Sequence, residues 1–520
     1  MLRTNTAAPT WVELKLSNLS FEFRLLAPRI PLEKQQVTSD AGGLRLAIVG
    51  GGISGISAAF YASRDSRFSA VRLFESSGRL GGVIETLHKG RYLIERAADN
   101  FATLIPDALK LSRDAGLEDM LVAPREHGRQ AFVLHHGRVQ PIPAGFSLMQ
   151  PTRVWSVLTT PTLSLRGKAR LLGEFFVRAR HEQSDESLES FASRRLGREA
   201  YENLVEPIVS GIFTADPTTL SMQATMPQFL AMERKSGGLI RGHLAARRAD
   251  AAAAARKASG ARYDQFRAPE LGMNAWLEQL AAKLPSGTVS LNSPVAELSL
   301  NSPGDRANDN QTSWNLRMSP DKSEDFDAVI LATPAAVSSK LLQNVSAEAA
   351  NFSSTIGYAS SAVVAMVVNR SNVRGRLDGF GMIVPAKEQR DALAISFTSN
   401  KYSGRTPDEE VLLRVFLGGA LRPEVMDRTD AQLEEIACRE VREILKWDGR
   451  ANWMGVIRWP EAMPQYTVGH CDRVAQLHTA LRRLPRIAVC GAAYEGVGIP
   501  QCVRSGRQAV ENVVGTRSVE

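Results

Sequence analysis

The stretch Gly50-x-Gly52-x-x-Gly55 constrains this chain more than any other feature. It follows a short β-rich apolar run, Leu46–Val49, and leads into small and apolar residues at helical spacing, Ile56, Ala59 and Phe60. Strand, tight turn and helix in that order make the dinucleotide fingerprint. Gly50 permits the turn, Gly52 lets the backbone approach a pyrophosphate, and Gly55 lets the helix lie close to the strand. The helix N-terminus then offers free N–H groups and a positive dipole end to the phosphates. A second strand-like run, AVRLFE, ends at Glu75, about twenty residues past the last glycine, where a carboxylate can accept hydrogen bonds from a ribose.

NAD and FAD both use this fingerprint, and the next residues separate them. Arg79-Leu80-Gly81-Gly82 follows directly on the acid, then VIETLHKGRYLIERAA, whose alternation around Lys89-Gly90 predicts a β-hairpin. An NAD dehydrogenase usually continues here into another βαβ unit. The order seen instead resembles the FAD-dependent amine-oxidase and desaturase superfamily, in which the R-x-G-G segment lines the cofactor. Near the other end, RIAVCGAAYEGVGIPQCVRSGRQAVENVV repeats the form. Ile487–Cys490 reads as a strand, Gly491 to Ile499 as a turn of small residues, and a helix starts at about Pro500, where a missing N–H costs nothing. The resemblance implies that this helix aims its N-terminal dipole at the flavin ring, so that two turns more than four hundred residues apart close on one FAD.

Composition excludes several other classes. Of 520 residues, 44% are hydrophobic and 23% charged, which is ordinary for a soluble globular chain long enough for more than one domain. Cys438, Cys471, Cys490 and Cys502 form no C-x-x-C pair, which suits a reducing compartment and leaves no metal site to expect. The apolar run Ser361–Val368 is too short to cross a bilayer. No arginine-rich repeat or aromatic-plus-basic platform points to nucleic acid. The net charge of +8 favours contact with an anionic surface or an acidic substrate. The expected location is cytoplasmic, with peripheral contact on the cytoplasmic membrane.

The expected architecture is α/β: a discontinuous Rossmann-like FAD-binding domain, an α+β substrate domain and a helical subdomain. Residues 1–43 read as a disordered extension. The FAD-binding domain takes 44–125, 285–345 and 481–520, and the substrate domain 126–145, 226–284 and 346–480. The helical, arginine-punctuated stretch 146–225 is the candidate membrane-surface contact, and the alanine-rich, basic run after Arg241 reads as a solvated helix or insertion. A β-run is expected across VSLNSPVAELSL with Val295 at its middle, and a buried strand at Ala328–Ala332 turning into a helix at Thr333-Pro334.

With these residues placed, the chain resembles the protoporphyrinogen oxidase and bacterial coproporphyrinogen III oxidase family from about Leu44 to its end. GGGISG and ESSGRLGG are shared more widely in the superfamily; LVEPIVSGIFTADPTTLS, GFGMIVP, LRVFLGG, MPQYTVGH and AYEGVGIPQCVRSGRQA are more telling. The resemblance implies FAD contacts at Gly50, Gly51, Gly52, Ile53, Ser54 and Gly55, at Glu75 and Ser76, and at Arg79, Gly82 and Val83. It implies further FAD contacts at Ala97, Ala98, Asp99 and Asn100, at Val295, and at Ala492, Val497, Gly498 and Ile499. It implies substrate contacts at Gly211, Phe380, Ile383 and Phe416, the two phenylalanines as stacking walls for a flat tetrapyrrole.

The implied reaction is porphyrinogen oxidation in haem synthesis, on protoporphyrinogen IX or coproporphyrinogen III. Hydride passes from a meso carbon to the flavin, O2 reoxidises the flavin to give H2O2, and three such steps aromatise the ring. Handover of the product to a ferrochelatase is a further implied partnership. No catalytic acid or base declares itself, and His470 reads as structural. The chain departs from the family at Ala97-Ala98, where glycine-proline is usual, at Ala131, where a propionate-pairing arginine is usual, with Arg129 two residues earlier, and at FRAPELGMNAW, which lacks a full double glycine. An amine oxidase, a carotenoid-type desaturase, or a non-catalytic binding protein of the same fold stay open as alternatives.

Overall fold

The computed structural model describes residues 43–515, apart from 127, 144–145, 148, 152–153, 181, 183, 250–265 and 302–312. The expected N-terminal extension and most of the alanine-rich insertion lie outside the described residues.

Glycine-led close packing organises the first half of the fold. Five parallel strands lie in the order Val289–Ser290, Phe68–Phe74, Leu44–Val49, Ala328–Leu331 and Ile487–Val489. Leu46–Val49 and Ala328–Leu331 at the centre are apolar and buried because both sheet faces are covered there. The first helix, Ile53–Ala62, is buried along nearly its whole length, so it shows no polar face. It packs against the sheet, against the C-terminal helix Ile499–Gly515, and against Met273–Ala282. The C-terminal helix approaches so closely because residue 506 is glycine: a Cβ there would run into the Ser54 carbonyl oxygen. The sequence places 226–284 with the substrate domain. The buried face of Met273–Ala282, however, with Met273, Trp276 and Leu277, packs among Ile53, Ile56 and Phe60.

One expectation is corrected here. Val295 is not inside a strand: it lies between Val289–Ser290 and Glu297–Asn301. Pro294 has no N–H for a ladder. The N–H groups just before it are also taken, Asn292 by the Ser77 carbonyl (3.0 Å) and Ser293 by the Glu75 carbonyl (2.8 Å).

The second sheet has seven strands. Its order is Trp453–Pro464, Tyr358–Asn369, Glu410–Gly418, Ala392–Phe397, Gly381–Ile383, Ala131–His135 and Arg138–Pro141. All neighbours run antiparallel except the parallel pair Gly381–Ile383 and Ala131–His135. One face, with Val364, Met366, Leu413 and Val415, packs against the helix Asp430–Leu445. The other, with Val363, Ala365, Val367, Leu412 and Ile457, closes around Ile94 from the hairpin Thr86–Lys89 and Tyr92–Glu95. The sheet thus faces the cofactor half through residues of the first hundred.

Between the sheets in sequence come short helices, among them Leu165–Leu172, Leu188–Leu196, Glu206–Phe213 and Pro227–Ser236. A π-helical turn, Tyr201–Val205, ends two residues before Pro207. Proline cannot donate the next helical hydrogen bond and crowds the carbonyl four residues back, and a wider turn relieves both. Among the described residues no helix is long and apolar enough to cross a membrane.

Candidate active site

The first turn is built so that its centre stays open. Gly50 has φ +109°, and a Cβ there would come within 2.6 Å of the Ala332 carbonyl oxygen. A Cβ on Gly55 would run into the Gly50 carbonyl. At Gly52, by contrast, a Cβ would meet nothing within 4 Å. Gly50 and Gly55 are therefore demanded by the fold, whereas Gly52 is demanded only by something that occupies the space before it. That space is a backbone cradle at a helix N-terminus, suited to a phosphate.

Glu75 braces the cradle. Its carboxylate accepts the N–H of Gly51 (2.7 Å), the N–H of Ser77 (2.8 Å) and the Ser76 hydroxyl (3.2 Å). Burial alone would raise this carboxyl, but the backbone donors at Ser77 and Gly51 hold it below the usual range. It is therefore ionised, oriented, and able to accept ribose hydroxyls with its remaining lone pairs. Arg79 donates to the carbonyls of Gly82 (2.7 Å), Ile84 (3.0 Å) and Leu80 (3.2 Å), so its side chain shapes the loop. That loop docks on the first turn, with the Gly81 N–H on the Gly51 carbonyl (2.8 Å), and leaves Val83 47% exposed beside it.

The second turn reaches the same place. Gly491 and Gly496 take φ +128° and +133°, and the Gly491 N–H donates to Ser505 Oγ of the C-terminal helix (3.0 Å). Ala492 and Ile499 from this turn, Ile53 from the first helix and Ala98 from the segment after the hairpin all pack in one cluster. Four of the expected FAD contacts, drawn from three regions of the chain, are thus brought together.

The motif MPQYTVGH contributes a residue the sequence reading did not single out. Tyr466 Oη donates to the Ala492 carbonyl (2.5 Å) and accepts the Gly496 N–H (2.7 Å), pinning the second turn at two points. The His470 ring stacks on Tyr466 at 4.0 Å and its Nε2 meets the Tyr494 carbonyl at 3.0 Å. Burial pulls His470 down to about 4, so it stays neutral and structural. Only the spacing of Tyr466 from the turn in sequence, which carries no signal, links the two.

The expected substrate residues divide. Strand pairing sets Val363, Phe416, Ala394, Ile383 and Val133 in one row across the second sheet. Phe416 is half-buried and packs beside Val363 and Ile457, on the sheet face turned to the hairpin and residues 96–100. Gly211, exposed on its helix, would place a Cβ 3.6 Å from Ile383. Phe380 stands outside the row: it is 6% exposed, and its backbone is held by Gln130 (2.9 Å) and Phe397 (3.0 Å).

Glu206, also missed, joins two of these walls. Its carboxyl accepts the Ser210 hydroxyl (3.2 Å), one residue before Gly211, and the Ala386 N–H (3.3 Å), just beyond Ile383. Burial pushes it up to about 7.

The departures from the family pattern have local explanations. Arg129 donates to the carbonyls of Arg125 (2.9 Å) and Pro124 (3.1 Å). Leu271 is 64% exposed where a second glycine was expected, so a side chain fits. Gly272 is kept, because a Cβ there would lie 2.6 Å from Thr86. No group of three or more potential metal ligands occurs among the described residues.

Comparison with known proteins places these features. The model for flavin-containing amine oxidoreductases matches residues 53–514. The coproporphyrinogen III oxidase of Bacillus subtilis (strain 168) is 31% identical over 480 residues, covering 91% of this chain and 98% of that protein. The chloroplastic protoporphyrinogen oxidase of Nicotiana tabacum is 28% identical over 498 residues, covering 91% and 86%. A crystal structure from Exiguobacterium sp. 255-15, assigned as a protoporphyrinogen oxidase, superposes with a TM-score of 0.77 at 27% identity, over 92% of this chain and 99% of that one. The cofactor is FAD, and the open Gly52 cradle, Glu75 and the second turn are the residues that could hold it.

Gly52 and Gly55 should therefore respond oppositely to substitution. Gly52→Val is expected to leave the unfolding midpoint of the FAD-free protein unchanged while weakening FAD binding at least ~100-fold, a loss of about 3 kcal/mol. Gly55→Val is expected to destabilise the FAD-free protein itself by roughly 3 kcal/mol through overpacking. Calorimetric FAD titration and denaturant unfolding of both variants check this.

Proposed function

The chain belongs to the flavin-containing amine oxidoreductase family, and from that premise we propose that it aromatises a porphyrinogen, coproporphyrinogen III, with O2 as acceptor and H2O2 as by-product. The reaction belongs to haem biosynthesis. Bound FAD supplies the two-electron acceptor for each oxidation. The observation that carries the reading is the row Val363–Phe416–Ala394–Ile383–Val133, a wide apolar wall with one aromatic in it, facing the half of the molecule that holds both glycine turns.

Such a wall suits a broad, flat macrocycle better than a small polar amine. Gly211 lets the opposite helix come close to Ile383 without a side chain between them. Aromaticity drives the overall reaction, and the row itself contains no acid or base, so the task of these residues is to orient the ring. Phe416 is the residue best placed to stack on it. Phe380 supports the strand start from a buried position. Coproporphyrinogen III is preferred over protoporphyrinogen IX because the match to the Bacillus enzyme is the stronger, 31% against 28% for the tobacco enzyme.

Two exposed apolar side chains support a docking role for the helical region. Leu165 is 83% and Phe176 80% exposed, with Arg166 and Arg178 exposed beside them. Apolar tips flanked by cations suit an anionic lipid surface. Flotation with phosphatidylglycerol vesicles is expected to carry the protein upward, and the double variant Leu165→Glu, Phe176→Glu to remain below; equal flotation of both contradicts this contact.

The activity is tested by adding each porphyrinogen separately to the FAD-loaded protein in air and following porphyrin fluorescence. Coproporphyrin formation is expected to be at least ~10-fold faster, in kcat/KM, than protoporphyrin formation, about 1.4 kcal/mol of discrimination. A reversed ratio assigns the protoporphyrin branch. Fluorescence from neither, with FAD bound, removes the porphyrinogen reading.

A further inference from the structure

Two residues along the second sheet from the Phe416 row runs another: Gly455, Ala365, Arg414, Ser396, Gly381 and Ala131. Five of the six side chains are small or absent, and the sixth is a guanidinium. The chain between residues 96 and 99 is fastened to this side of the sheet. Trp459 Nε1 donates to the Arg96 carbonyl (3.1 Å) and Arg414 donates to the Ala97 carbonyl. Asp99 is held by Lys401 (3.0 Å) and lies 3.7 Å from Arg414.

Arg414 is 2% exposed, its guanidinium lies 5.1 Å from the Phe416 ring centroid, and its Nε has no hydrogen-bond partner. A packed interior does not hold a guanidinium without compensation. Around this one, three cations, Arg414, Lys401 and fully buried Arg405, face two buried carboxylates, Glu95 and Asp99, with Glu270 at the solvent edge. Burial raises Glu95, while hydrogen bonds from Thr86 and Met273 and the charges of Arg405 and Arg414 oppose that rise. Burial would raise Asp99 too, but Lys401 and Arg414 keep it ionised. The next residue from Ala97, Ala98, packs in the cluster with Ile53, Ala492 and Ile499 where both glycine turns meet.

We propose that Arg414, through its hold on Ala97 and its partnership with Asp99, is a positioning residue that sets the reduction potential of the bound FAD. The proposal rests on the reading of Ala97–Asn100 as flavin-lining. A buried guanidinium is better compensated once the cofactor takes up electrons and becomes more negative, whereas a buried carboxylate opposes that change. Arg414 therefore favours the reduced form, which is the direction an electron-accepting site requires, and Asp99 tempers it. Ala97-Ala98 in place of glycine-proline fits the same picture, since the Ala97 carbonyl is fixed from below by Arg414 rather than by ring stiffness.

The test is the midpoint potential of bound FAD, read from its visible spectrum during anaerobic reductive titration against reference dyes. Arg414→Met is expected to reduce the preference for the reduced cofactor about tenfold, ~30 mV for a two-electron couple. Asp99→Asn, which uncovers the cations, is expected to move it a similar amount the other way, and Arg414→Lys to stay within threefold of wild type. Lys401→Met, at the outer edge of the cluster, repeats the Arg414→Met direction if that variant does not fold. A purely structural role predicts loss of FAD affinity with no opposed shifts. Potentials unchanged within threefold, or moved in one direction by both charge changes, overturn the proposal while leaving FAD binding intact. A wild-type protein that takes up no FAD overturns the flavin reading as well.

Discussion

The contact between the first helix and the C-terminal helix is the constraint on which the rest depends. Gly506 lies against the Ser54 carbonyl, Gly55 against the Gly50 carbonyl, and Ser505 Oγ accepts the Gly491 N–H. Neither glycine approach, at Gly506 or at Gly55, tolerates a larger residue without movement of backbone. Their result is that two turns from opposite ends of the chain open at one edge of the parallel sheet, where Leu44–Val49 and Ile487–Val489 flank Ala328–Leu331. A ligand crevice beyond the carboxyl ends of such strands is what this topology provides. Tyr466 then fixes the second turn from outside, so its conformation does not depend on glycine alone.

The second sheet gains its relation to this crevice through residues 94–99. Ile94 fills the centre of one sheet face, and Trp459, Arg414 and Lys401 hold the following backbone and Asp99. The same segment therefore belongs to two packing systems, one apolar and one charged. Phe416 and Arg414 are two residues apart on one strand, so they share a face: one presents an apolar surface, the other a buried cation. Any shift of that strand would move the proposed substrate wall and the Arg414 guanidinium together.

What was legible in the sequence was local. Strand, turn and helix around Gly50 and around Gly491 could be read because all the residues that define them lie within about twenty positions. The apolar run Ser361–Val368 was visible, but not which of its residues faced the hairpin and which the helix Asp430–Leu445, because burial on both sheet faces erases the alternation that would show it. Val295 was misplaced because the bonds that turn the chain there reach back to Ser77 and Glu75. Tyr466, Glu206 and Arg414 were unmarked for the same reason. Their partners are 26, 180 and 317 residues away, and no pattern along the chain records such pairings.

The most direct single measurement is anaerobic mixing of the FAD-loaded protein with coproporphyrinogen III while the flavin and porphyrin absorption bands are followed together. The expected result is loss of the oxidised-flavin band as porphyrin absorption rises, with the flavin band restored when air is admitted. A flavin band that persists with both porphyrinogens, yet disappears with a primary amine, would contradict the assignment and return the chain to amine oxidation.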